Sequence, residues 1–187
     1  MELELQIALI GILGTLGGTI LGWFLNTLSQ KGKLNIYILS WNDEFTYNNM
    51  GCMEPSSSVE QTQCYGYKLS LDLYNSSGEI KIMRNIKIQF TNGKSVLFQS
   101  IPKDDQTKRI SSPMTYYDDI SPVNIPAKSV ININLHNGVW DKDDSLAFIW
   151  DVKAVYLVYT DKKNKNKKIM INKKSYDDYF SNHHIEE

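Results

Sequence analysis

The sequence predicts a mainly β protein, with one N-terminal transmembrane α-helix followed by an antiparallel β-sandwich of Ig-like architecture and about seven strands. Three observations lead there. No charged side chain occurs from Leu5 to Gln30, a stretch long enough to cross the hydrocarbon core of a bilayer as a helix. Beyond Lys33, several short runs alternate apolar and polar residues, the period of a half-buried strand. Clusters of Asn, Gly, Ser, Asp and Pro separate those runs, with no amphipathic helical stretch between them. The predicted organisation is a helix over 1–30, a sandwich over 31–172 and a polar C-terminal tail over 173–187.

The opening helix comes first. Its apolar part reaches roughly 36 Å at about 1.5 Å per residue, enough to span a bilayer with some tilt. Trp23 and Phe24 stand near its C-terminal end, where aromatic rings favour the headgroup zone. A cleaved signal would need a basic beginning and small residues at a cleavage site. Here Glu2 and Glu4 precede the run, and Trp23, Phe24 and Leu25 occupy the place where small residues belong. Lys31 and Lys33 follow the helix, and no Lys or Arg precedes Lys31. The positive-inside tendency therefore puts the N-terminus outside and the β domain in the cytoplasm of a cell-membrane protein.

Within "GTLGGTILGW", Gly14, Gly18 and Gly22 recur every four residues. In a helix they advance by about 40° per step and form one slowly winding groove. Gly11, Thr15 and Thr19 flank it. Such a groove lets helix backbones approach closely in lipid, so the sequence predicts a homo-oligomer formed through Gly14, Gly18, Gly22, Thr15 and Thr19.

The strands follow in order. "KLNIYILSW" leads into a polar, turn-rich stretch containing Pro55 and three serines. Tyr65, Tyr67, Leu69, Leu71 and Leu73 then alternate with smaller or polar residues. After the turn "YNSSGE", Ile80, Ile82, Ile86, Ile88 and Phe90 share one parity, and "TNGK" predicts a tight hairpin into "SVLFQ". "SVININLHN" alternates again, "DKDDSLAFIWD" suits one helical turn at a crossover, and "VKAVYLVYT" with "KIMIN" form a last hairpin. No Cys-Trp-Cys spacing marks a true immunoglobulin domain, so the label concerns architecture.

Candidate binding residues are few. Arg84 falls on the apolar parity of its strand, so either a bulge turns it outward or it anchors a carboxylate or small anionic ligand. Ile101 to Lys128 is long for a connection. Its Tyr116, Tyr117, Asp118 and Asp119, with Tyr176, Asp177, Asp178 and Tyr179, could form a surface of aromatic platforms and acceptors. Turn chemistry and end-covering tyrosines are the plainer account. Lys162, Lys163, Lys165, Lys167 and Lys168 suit a solvated hairpin tip and, beside an inner leaflet, contact with anionic lipid.

Asp141 to Asp144 lack the glycine hinge and downstream glutamate of a helical calcium loop. Cys52 and Cys64 have no histidine nearby in sequence. His136, His183 and His184 lack metal-ligand spacing, and phosphate-loop or nucleophile-elbow motifs are missing. No enzyme activity, cofactor, metal or nucleic-acid partner is expected. The expected partners are the lipid bilayer, further copies of the chain, and a protein or small anionic ligand. The leading expectation is thus a membrane-anchored, non-enzymatic binding module. A membrane-acting effector is the alternative, in which a sensing β domain clusters the helices, a layout similar to tethered effectors of antiphage defence. Reduced thiols are expected in a cytoplasmic domain, whereas an external one could join Cys52 to Cys64.

Overall fold

The computed structural model describes residues 2–58, 60–142, 146–173 and 176. The apolar opening forms α1 (Glu2–Gln30), and Leu3–Gln30 is long and apolar enough to cross a membrane. Among the described residues nothing else covers that segment, and Trp23 is 68% exposed. The hydroxyls of Thr15, Thr19 and Thr27 donate to the carbonyls of Gly11, Thr15 and Trp23 at 2.6–2.8 Å. Each threonine thereby satisfies its polar atom within the helix, which makes it tolerable in hydrocarbon.

Twelve strands occur among the described residues. They are β1 (Leu34–Asn49), β2 (Cys52–Pro55), β3 (Cys64–Asn75), β4 (Lys81–Thr91), β5 (Val96–Ser100) and β6 (Lys103–Asp104). After these come β7 (Arg109–Ser111), β8 (Met114–Tyr116), β9 (Val123–Ile125), β10 (Val130–Trp140), β11 (Ala154–Thr160) and β12 (Asn166–Asn172). One sheet has the order β2-β1-β3-β10-β6, the other β12-β11-β4-β5 with β9 also on β4, and β7 pairs only with β8. All these pairings are antiparallel. All seven predicted strands are present. The five additional ones are two to four residues long, too short for a period to register.

The two inner faces supply the core. Tyr65, Tyr67, Leu69, Leu71 and Leu73 of β3 are buried, as their alternation predicts, together with Ile133 and Leu135 of β10. Ile86, Ile88 and Phe90 of β4 and Val155, Leu157 and Tyr159 of β11 face them. A 3-10 turn over Ala147–Asp151 inserts Ile149 at the crossover, where one helical turn is expected.

Three expectations need correction. The stretch after Trp41 is not turn-rich from its start, because β1 runs on to Asn49 and buries Phe45, and the turns come only at Met50–Gly51 and beyond Pro55. Asp43 and Glu44 interrupt the apolar pattern there without interrupting the backbone. The reversal comes at Met50 and Gly51, both at positive φ, the geometry that suits a two-residue hairpin turn. Second, the apolar parity of β4 changes partway. Asn85 adopts φ 51°, and the pairing steps from Val158↔Lys87 to Thr160↔Arg84, so two residues of β4 stand opposite Tyr159. This bulge buries Met83 before it and Ile86 after it, and leaves Ile80 57% exposed. The same bulge turns Arg84 out of the core.

Tyr176, assigned from sequence to the polar tail and to a recognition surface, is instead fully buried. Its hydroxyl meets that of Tyr65 at 3.0 Å. The 101–128 connection is organised too, by β6, β7, β8, β9 and a 3-10 turn at Asp105–Thr107.

Candidate functional site

Strand direction gathers one end of the sandwich around the exit of α1. β1 starts there with Leu34 opposite Asn75, the last residue of β3. β4 starts there at Lys81, and β11 ends there with Thr160 opposite Arg84. Three segments distant in sequence therefore meet: the helix exit at Gly32–Leu34, the turn after Asn75, and the hairpin tip over Asp161–Lys165.

The helix exit is clamped to the turn. Gly78 N donates to Ser29 O at 3.0 Å, and Ser76 N donates to Lys33 O at 3.1 Å. Lys33 N donates to Ser76 Oγ, and Ser76 Oγ donates to Lys33 O, both at 3.0 Å. The backbones come so close at Gly32 that a Cβ there would lie 2.2 Å from the Ser76 carbonyl carbon and the Ser77 nitrogen. Only glycine fits without displacing backbone. The helix and the domain are thus joined by a hydrogen-bonded seam.

Arg84 braces the hairpin tip, donating from Nη2 to Asp161 O at 3.2 Å and to Asn164 Oδ1 at 2.7 Å. Of its two predicted alternatives, the outward bulge holds. The carboxylate of Asp161 accepts from Lys163 N at 2.8 Å and Lys165 N at 2.9 Å. These amides, Lys165 first, hold its pKa below the ordinary value, helped by the charges of Lys167 and Lys165. Glu79 is held below its ordinary value chiefly by the hydrogen bond from Lys162, then by that residue's charge. Both local carboxylates are therefore ionised and already engaged.

Between the seam and the tip lies a cleft of about 400 Å³. Lys33, Lys81, Lys162, Lys163, Lys167 and Lys168 line it, with Asp161 as its acidic neighbour and Leu34, Ile82, Tyr159 and Ile169 as apolar wall. Four of the five predicted tract lysines thus share one cavity. Lys165 is not among its lining residues, and Lys168 sets its ammonium over the Tyr156 ring, 4.1 Å from the centroid. Sequence reading missed Lys33 and Lys81 as members. Lys33 had served only to orient the helix, and nothing local ties Lys81 to a hairpin some eighty residues away.

The predicted tyrosine–aspartate surface is partly dismantled. Tyr116 is exposed and donates to Met114 Sδ at 3.3 Å. Tyr117 meets the His136 ring edge-on at 4.3 Å. Asp118 pairs with Arg109, and Asp119 with Lys103 at 2.6 Å, so these acceptors bind the connection to itself. Asp177, Asp178 and Tyr179 lie outside the described residues, as do Asp143, Asp144, His183 and His184. Gly14, Gly18 and Gly22 stand along one open face of α1, where a Cβ would meet nothing within 4 Å.

Residues 32–172 match the YopI Ig-like domain family. The chain is 26% identical over 165 residues to the SPβ prophage-derived uncharacterized protein YopI of Bacillus subtilis strain 168, covering 85% of this chain and 89% of that one. Among solved structures, the putative ApaA protein from Bordetella pertussis aligns with TM-score 0.36 at 8% identity, over 76% of this chain and 91% of that one. The Iho670 flagellar-like filament aligns with TM-score 0.35 at 9% identity, over 91% of this chain and 98% of that one. Scores this low establish no shared fold.

Proposed function

The chain belongs to the YopI Ig-like domain family, and from that premise we propose that it is a single-pass, membrane-anchored, non-enzymatic interaction module. Helix α1 spans the bilayer, the sandwich stands in the cytoplasm, and copies associate through the glycine face of the helix. The observation that carries the reading is α1 itself. An apolar helix of this length that no other described element covers is untenable in water and natural in lipid. Lys31 and Lys33 at its exit support the cytoplasmic placement of the domain. The hydrogen-bonded seam supports a sandwich presented at a fixed angle, with its sheet edges and end loops free to meet a protein or small anionic ligand.

Cys52 tests the orientation. It is exposed and free, whereas Cys64 is half-buried and burial pushes its thiol pKa up. The two cannot be joined as an external location had suggested. β1 lies between their strands, and they stand opposite Asn49 and Thr46 of it, which separates them by more than about 9.5 Å, beyond disulfide reach. A membrane-impermeant maleimide should leave Cys52 unmodified in intact cells and label it after permeabilisation. Labelling of intact cells would reverse the orientation.

Gly18→Leu tests the assembly. A Cβ added at Gly18 meets no side chain and no other described element within 4 Å, so a change in association must come from contact between copies. Self-association of the full chain in bilayers should fall at least tenfold, read by energy transfer between labelled copies. Gly17→Leu, the same change about 100° around the helix, should leave it intact. Equal behaviour of the two variants removes the groove from the assembly.

A further inference from the structure

We propose that the cleft beside the helix exit seats the phosphate of an anionic phospholipid headgroup. This rests on the membrane-anchored reading and adds a defined site to it. The chemistry is that of a phosphodiester anion: Lys33, Lys81, Lys163 and Lys167 surround a cavity of about 400 Å³. The two neighbouring carboxylates, Asp161 and Glu79, are ionised and offset part of this charge, Glu79 pairing with Lys162. The four remaining lysines outnumber the one carboxylate that lines the cavity, so the cleft stays net positive. Apolar Leu34, Ile82 and Ile169 in the same wall suit the glycerol and first acyl carbons that a lipid carries and inorganic phosphate lacks.

Depth supports the same ligand. Helix α1 is roughly 43 Å long at about 1.5 Å per residue, close to the ~40–45 Å of a bilayer with its headgroups. Its last turn therefore emerges at headgroup level, and Gly32 and Lys33 of the cleft follow directly. The seam fixes this placement, so the lysines are presented to the lipid surface as a set.

The test is a titration of the full-length protein in neutral detergent, followed by native mass spectrometry. The probes are phosphatidylglycerol, phosphatidylcholine, glycerol phosphate and inorganic phosphate. Phosphatidylglycerol should bind at least tenfold more tightly than phosphatidylcholine. Lys163→Gln combined with Lys167→Gln should weaken it by about 25-fold, at about fivefold per lysine. Lys87→Gln with Lys94→Gln, away from the cleft, should leave it unchanged. Equal binding of the two lipids, or a preference that survives the Lys163/Lys167 variant, overturns the site. Glycerol phosphate or inorganic phosphate binding as tightly as phosphatidylglycerol also overturns the headgroup assignment, in favour of a soluble phosphate ligand. Sedimentation of the chain with carbonate-washed membranes tests the anchor separately, so a failed cleft and a failed anchor are told apart.

Discussion

Asn75→Ala should destabilise the sandwich by roughly 3 kcal/mol, lowering the melting temperature by about 10 °C for a domain of this size. Asn75 is fully buried at the end of β3. Its Nδ2 donates to Glu79 O at 2.7 Å, Pro126 O at 2.9 Å and Ile125 O at 3.1 Å. Its Oδ1 accepts from Ser77 N at 3.0 Å and Ser77 Oγ at 2.6 Å. One carboxamide thus ties β3, the turn before β4 and the end of β9. Truncation leaves buried carbonyls without a donor, and that desolvation outweighs the bonds themselves. Asn75→Asp separates donation from shape. The carboxylate keeps the acceptor for Ser77 but faces three carbonyls, so it should be no more stable than the alanine variant. Thermal melting of the full chain in detergent reads both. A melt within 1 °C of wild type would remove this knot from the account of stability. Because the same turn grips Ser29 and Gly32, Asn75→Ala should also speed proteolysis at Lys31 and Lys33.

What the sequence discloses and what it hides divide along the range of the interactions. The period of two in β3 needs only nearest neighbours, so it predicts Tyr65 through Leu73 as core and the structure agrees. The reversal at Asn92–Gly93 is likewise local. Gly93 sits at φ 89° and Asn92 N donates to Ser95 O at 3.2 Å. The β4 bulge was harder. Arg84 on an apolar parity announced an irregularity, but only the pairing with β11 shows that Asn85 absorbs it and that Met83 replaces Ile82 in the core. Long-range placement is where sequence reasoning stops. The tract of lysines after Asp161 was visible as a charge cluster. That Lys33 and Lys81 complete a cavity with them follows from sheet order, which no local pattern encodes. Asp118 and Asp119 illustrate the converse, since acceptors that look free in the sequence find Arg109 and Lys103 in the fold.

Tyr176→Ala should cost about 4 kcal/mol, the range for deleting a buried aromatic ring, and removing residues 173–187 should cost at least as much. The sequence around Tyr176 is polar, and its neighbours gave no reason to place it inside. Yet its ring packs edge-on against Phe45 at 5.6 Å and Tyr65 at 5.9 Å. Tyr176 therefore closes the end of the sandwich remote from the helix. Tyr176→Phe keeps the ring and loses the hydroxyl's contact with Tyr65 and its hydrogen bond to Asp43, so it should cost only about 2 kcal/mol. The gap between the two variants measures packing against hydrogen bonding. Alkaline titration offers a second readout. Burial raises the pKa of both phenols above the ordinary 10.0, with the neighbouring phenol adding to the effect on Tyr65 and Asp43 to that on Tyr176. A folded pKa above the unfolded value means that their contribution is complete below pH 10 and declines as pH rises beyond it. Stability should therefore fall above pH 10 in the wild type, and less steeply in Tyr176→Phe. Identical slopes, with a small penalty for Tyr176→Ala, would show that this end of the core holds without the tyrosine pair.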